Sequence, residues 1–360
     1  MKNGIRSKGF RGRRAVTAAA VASVVAGAAG IMAGQGSAAP AGHGGYYGGY
    51  PSKNAEFKTP KLKDGVLTIM GTKASDKIAL RLQAGDPNNL QVDVRDDGSA
   101  DFSFARSSIT KIAVKARAGD DVVRIDESNG LFTDTIPTTI DGGDGNDTIA
   151  GGKGVETLSG GRGNDSIDGN GGNDLALLGA GNDTFIWDPG DGSDTVEGQA
   201  GTDTMRFNGA SGTDQVELSA NGNRLKFFRV QGNITMDTAG VERVDFNALG
   251  GADLATVDDL SGTDVRSVNI DLAGAVGGAT ADGAADHVVV NATNGNDAID
   301  VSGDSTTVKV SGLAATTRIL HSEVAKDRLD VNTLAGMDTV ASVGLAAGSI
   351  QFFLDGLPVS

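Results

Sequence analysis

The chain contains no cysteine in its 360 residues, so no disulfide staples it and no thiolate nucleophile is present. Histidine is almost as scarce: only His43, His287 and His321 occur, and none stands in an HExxH arrangement. The triplet His321-Ser322-Glu323 lacks the helix and second histidine that a zinc hydrolase needs. No GxSxG elbow marks a serine hydrolase either. Aromatic residues amount to 4% while glycine fills 55 positions, a composition unsuited to a helical bundle, and no long amphipathic helical pattern interrupts the chain. Tyr46, Tyr47 and Tyr50 fall in a Gly-rich stretch and Trp187 in an insertion, so no row of aromatics forms a sugar platform.

Acid dominates what is there. The formal charge is −15, and residues 1–40 hold six basic residues and no acid, so without them it falls to −21. Such an excess repels nucleic acid and anionic membranes. Lys2, Arg6, Lys8, Arg11, Arg13 and Arg14 precede an apolar, small-residue run over 15–33 and then Ser37-Ala38-Ala39. This is the pattern of a secretory signal peptide over 1–39. A membrane anchor competes with it, but the run is barely span-length and rich in Ala and Gly; Arg13-Arg14 also admits a twin-arginine signal. Residues 40–55 read as a Gly/Tyr-rich linker in which His43 is an exposed residue. The expectation is a secreted, extracellular protein with no membrane span after signal cleavage.

Within residues 141–217 a nine-residue phrase recurs, and its first copy, GGDGNDTIA over 142–150, fits GGxGxDxUx at every fixed position. Copies start at 142, 151, 160, 169, 178, 189, 198 and 209, with Trp187-Asp188 and Phe207-Asn208 as insertions. The fourth slot is always glycine, from Gly145 and Gly154 through to Gly212. The sixth is always a carboxylate, and the eighth is mostly apolar, as in Ile149, Leu158 and Phe185. Glycine tolerates positive φ, so the first six residues can turn tightly and aim carbonyls inward, while the last three form a short strand with one core side chain. Calcium takes about six to eight oxygens in a tolerant geometry, which carbonyls and carboxylates from stacked turns supply. A single repeat can neither complete that shell nor bury its apolar residue, so the copies must stack.

The stretch resembles the hemolysin-type calcium-binding repeats of RTX proteins, and DTFIWDPGDGSDTVEGQAGTDTMRFN, over 183–208, resembles the form found in secreted bacterial calcium-binding proteins. The resemblance implies a right-handed parallel β-roll with two nonapeptides per coil. It implies calcium held by Gly143, Asp144, Gly145, Asn146 and Asp147 of the first copy, then Glu156, Gly161, Gly163, Asp165, Gly172 and Asp174, and further on Gly181, Asp183, Asp194, Asp203 and Asp214. Asp147, Asp165 and Asp183 should share one edge, and Glu156, Asp174 and Asp194 the other. Some copies depart from the pattern: GGKGVETLS has Val155 and Glu156, the fourth copy has Asn170 and Ala176, and two others open with Leu178 and Pro189.

The flanks, 56–140 and 218–360, alternate like strands between Gly and Asp turn signals. Sparse echoes of the repeat occur there, as in Gly119-x-Asp121-x-Val123, Gly251-x-Asp253-x-Ala255 and Gly336-x-Asp338-x-Val340. Both flanks are expected to be degenerate β-solenoid with wider coils, and their aspartates, Asp76 and Asp297 included, to be corner residues in turns rather than calcium ligands. The reading is an all-β, β-roll or β-helix solenoid: a secreted, non-catalytic protein whose several calcium ions drive its folding. Two other classes stay open. One is a calcium-stiffened surface adhesin or matrix component with an unnamed extracellular partner; the other is a glycan-active β-helix enzyme, because carboxylate pairs abound.

Overall fold

The structure is a computed structural model that describes residues 57–304 and 306–359. The expected signal peptide, 1–39, and the linker, 40–55, with His43 and the three tyrosines, lie outside the described residues. Strands dominate the rest, with one short 3-10 turn at Arg106–Ser108. Among the described residues no helix is long and apolar enough to cross a membrane.

The chain shuttles between two long sheets, of 15 and 14 strands. In the repeats, Thr138–Asp144, Glu156–Arg162, Leu175–Gly181 and Thr195–Gly201 pair in parallel in the first sheet. Thr148–Ala150, Ser166–Asp168, Thr184–Trp187 and Thr204–Asn208 do so in the second. Two nonapeptides therefore complete one coil, and the fold is a parallel β-roll. Register follows the eighth slot: Leu158 lies opposite Ile140 and Ala176, and Ile167 opposite Ile149 and Phe185. All of these are buried in one apolar core that both sheets share. The two insertions answer each other one coil apart: Trp187 pairs with Phe207, their rings stack at 3.9 Å, and both are fully buried. Trp187 Nε1 donates to Gly192 O at 2.9 Å, which satisfies the indole's one polar atom.

The flanks continue the same two sheets. Before the repeats, Val66–Met70 pairs in parallel with Lys111–Ala118, and that strand with Thr138–Asp144. The expected wider coils take a specific form, because extra length is folded into antiparallel meanders. Gln215–Asn221, Arg224–Arg229 and Ile234–Ala239 fill the first sheet between Thr195–Gly201 and Leu254–Val257. Ala298–Gly303, Thr307–Ser311 and Thr316–Leu320 do the same in the second sheet. The first meander starts inside the eighth repeat copy, so that copy's strand does not stack on the sixth copy as a regular coil would require.

Candidate metal centre

The turns that carry the chain between sheets hold the sixth-slot carboxylates, and these are buried: Asp147 is 1% exposed and Asp165 2%. Each is threaded to the next coil. Asp147 N–H donates to Asp165 Oδ1 at 2.7 Å, Asp165 N–H to Asp183 Oδ1 at 2.7 Å, and Asp183 N–H to Asp203 Oδ1 at 2.9 Å. Along the other edge Glu156 N–H donates to Asp174 Oδ1 at 2.7 Å and Asp174 N–H to Asp194 Oδ1 at 2.8 Å. One oxygen of each of these aspartates is thus used to hold the coils in register. The second oxygen, Oδ2 of Asp147, Asp165, Asp174, Asp183, Asp194 and Asp203, is buried with no hydrogen-bond partner in the protein.

Stacking buried acids at every coil is costly unless they are compensated. Burial, with like charges in neighbouring coils adding to it, pushes Asp165 and Asp194 up to about 7, Asp174 up to about 8 and Asp203 up to about 6. Burial likewise raises Asp147, Asp183 and Glu156. The backbone is crowded around these acids. A Cβ on Gly161 would lie 2.1 Å from Gly143 O, and one on Gly163 2.0 Å from Gly145 O. From Gly145 to Gly201, glycine in the fourth slot is therefore demanded by the carbonyl of the preceding coil and not by φ alone: Gly192 has no positive φ, yet its Cβ would sit 1.2 Å from Gly172 O.

Among the described residues no three His, Cys, Asp or Glu side chains converge as a metal cluster. A cation here must draw on main-chain carbonyls beside orphaned carboxylate oxygens, which is the hard-oxygen set that suits calcium. The model of the RTX calcium-binding nonapeptide repeat (4 copies) matches residues 139–155, 151–185 and 190–216. The chain carries RTX calcium-binding repeats. No curated protein matches it. Among solved structures, the crystal structure of extracellular lipase LipA from Serratia marcescens is similar at 10% identity, with a TM-score of 0.19, over 60% of this chain and 43% of that one.

Within the RTX copies, the backbone at the second slot sets the state of each carboxylate. Gly143, Gly161, Asn170, Gly179, Gly190 and Gln199 have φ of 113°, 116°, 55°, 122°, 122° and 74°. None of these N–H groups bonds the acid four residues on, and those acids are the six aspartates with an orphaned Oδ2. Gly152 has no positive φ, and its N–H is donated to Glu156 Oε2 at 2.8 Å, so the bonded oxygen of Glu156 is held by its own turn while Oε1 stays without a partner. The longer side chain of Glu156 thus folds back onto its own turn, while Val155 beside it is 65% exposed.

Asp214, expected as a ligand, departs furthest. Its Oδ2 accepts the N–H of Ala210 at 2.6 Å, and its Oδ1 accepts Arg229 Nε at 2.6 Å. The protein itself compensates this acid, because the meander after the eighth copy brings a buried guanidinium against it.

Asp144 and Asn146 are exposed, and neither side chain joins the buried row. Asn146 Oδ1 instead accepts Asn164 N–H, and Asn164 Oδ1 accepts Asn182 N–H, both at 2.7 Å. This fifth-slot ladder was not foreseen, although its signal, the recurring Asn-Asp pair, is plain in the sequence.

Proposed function

We propose that the RTX turns bind several calcium ions that compensate the stacked carboxylates and so drive the roll to fold, in a secreted, non-catalytic protein. The observation that carries this reading is the row of buried carboxylate oxygens, one per turn, with no partner in the protein. Asp147, Asp165, Asp183 and Asp203 would hold ions along one edge and Asp174 and Asp194 along the other, with carbonyls of the glycine turns completing each shell. A bound ion supplies positive charge that two facing turns share. Its binding energy then becomes folding energy, the role that disulfides play in other exported proteins.

Extracellular modules bind calcium at about 10⁻⁴ to 10⁻³ M, which fits a chain that stays loose inside the cell and orders after export. The non-catalytic reading is supported by the histidines: His287 pairs with Asp330, and His321 with Asp271 at 2.6 Å. Among the described residues neither ring bonds a serine or threonine hydroxyl. Trp187, the one tryptophan, is buried in the core, which weighs against a sugar platform. The test is circular dichroism of the purified protein during calcium titration and after chelation. Strand signal and melting temperature should rise together with calcium; a spectrum and melting curve indifferent to chelator would refute the reading.

A further inference from the structure

Two acids outside the matched repeats share the burial, the register bonds and the orphaned oxygen of the repeat carboxylates. Asp121 is 1% exposed; it accepts Asp76 N–H through Oδ1 at 2.6 Å and donates its own N–H to Asp147 Oδ1 at 2.8 Å. Asp253 is 4% exposed; it accepts Asp214 N–H through Oδ1 at 2.6 Å and donates to Asp286 Oδ1 at 2.8 Å. In both, Oδ2 is buried without a partner.

The second slot agrees. Arg117 and Leu249, four residues before these acids, have φ of 94° and 69°, a region that bulky residues seldom enter. The Arg117 turn also meets the first RTX turn as RTX turns meet one another. Gly119 N–H donates to Asp144 O at 2.8 Å, as Gly145 N–H does to Arg162 O at 2.7 Å. The carbonyls of Arg117 and Gly119 lie where a Cβ on Gly143 or Gly145 would fall, at 2.0 and 2.1 Å.

Three other acids of the same register are closed. Asp76, Asp297 and Asp327 each spend the second oxygen on the N–H four residues back, from Thr72 at 2.5 Å, Thr293 at 2.9 Å and Glu323 at 2.5 Å. None of those three donors has a positive φ.

We propose that the turns 117–121 and 249–253 are two further calcium sites, the first continuing the ion row of the RTX copies and the second lying beyond the closed Asp214 turn. Each would use the orphaned Asp oxygen together with main-chain carbonyls. The proposal rests on the reading that the RTX turns bind calcium through this same arrangement.

The test counts calcium ions bound to the full chain by equilibrium dialysis, for the parent protein and for Asp121→Asn, Asp253→Asn, Asp76→Asn and Asp165→Asn. Asparagine keeps an oxygen for the register bond and removes the charge. Asp121→Asn and Asp253→Asn should each lose about one ion, or bind it at least about tenfold more weakly, a difference of about 1.4 kcal/mol. Asp76→Asn should keep the full count. If the parent binds no calcium, or Asp165→Asn loses none, the reading of the RTX turns fails. If Asp165→Asn loses calcium while Asp121→Asn and Asp253→Asn keep the parent count, the RTX reading survives and the two added sites are wrong. Should a variant not fold, a crystal of the parent grown in calcium decides the matter. Anomalous peaks at turns 117–121 and 249–253 would uphold the proposal, and peaks at the RTX turns alone would overturn it.

Discussion

Arg229 sets its guanidinium on a single oxygen of Asp214, with Nε at 2.6 Å and Nη2 at 2.5 Å from Oδ1. At the same slot in earlier coils no arginine or lysine pairs with the acid, and its oxygens accept from backbone N–H groups. Here a side chain supplies the positive charge that a cation supplies elsewhere, and the row of orphaned oxygens is interrupted.

Removing that charge should be expensive. Arg229→Gln leaves a buried carboxylate without its counter-charge and is expected to cost about 3 to 5 kcal/mol in denaturant unfolding. Arg224→Gln, which breaks more exposed pairs with Glu197 and Asp237, should cost about 1 kcal/mol or less. Asp214→Asn should leave the number of bound calcium ions unchanged. Equal costs for the two arginine variants would show that Arg229 is an ordinary surface pair.

Along the RTX edge, Asp165→Ala removes both the acceptor of the Asp147 N–H and an orphaned oxygen. Loss of that charge-assisted bond alone should cost about 1.5 to 3 kcal/mol of stability in saturating calcium. Calcium titration by calorimetry should also show weaker and less cooperative binding. Asp76→Ala loses a closed turn and should shift the unfolding curve without changing the calcium isotherm. Identical isotherms for the two variants would mean that orphaned and closed carboxylates do not differ toward calcium.

Glycines in one slot should behave in opposite ways. Gly192→Ala drives a Cβ to 1.2 Å from Gly172 O, whereas a Cβ on Gly212 meets nothing within 4 Å, and neither residue needs a positive φ. The first change should cost about 3 kcal/mol or more through forced coil separation, and the second should stay within about 0.5 kcal/mol. Thermal unfolding of both variants in calcium measures the difference, and a tolerated Gly192→Ala would contradict the close stacking described.

Acidity should substitute in part for the ion. The calcium-free fold raises Asp165 and Asp194 to about 7 and Asp174 to about 8, from an ordinary value of 3.8. A group raised in the folded state contributes stability that is fully present below its unfolded pKa and is lost as pH rises through the folded one. In chelator, therefore, melting temperature should fall between pH 5 and pH 8. Calcium should bind more tightly over the same range, because it no longer has to displace protons. Melting in chelator that is flat or rising across this interval would show that the carboxylates are not stacked in the metal-free protein.

The nonapeptide register by itself determined the core positions and the acid row, because period and burial are local properties that repetition multiplies, whereas the parallel strand direction and the coil of two copies were implied by the resemblance to RTX repeats. It also exposed the echoes at Asp121 and Asp253, but sequence spacing alone could not tell an orphaned acid from a closed one. That difference lies in a single backbone angle four residues upstream, at Arg117, Leu249, Thr72 or Ala210, and none of these residue types announces it. The meanders were hidden for a related reason. Gln215–Asn221 and Ala298–Gly303 alternate in burial like any half-buried strand, and alternation does not say whether the next strand runs parallel or turns back. Only the tertiary structure brings Arg229 across 15 residues onto Asp214, since the contact depends on where an antiparallel strand is inserted between coils.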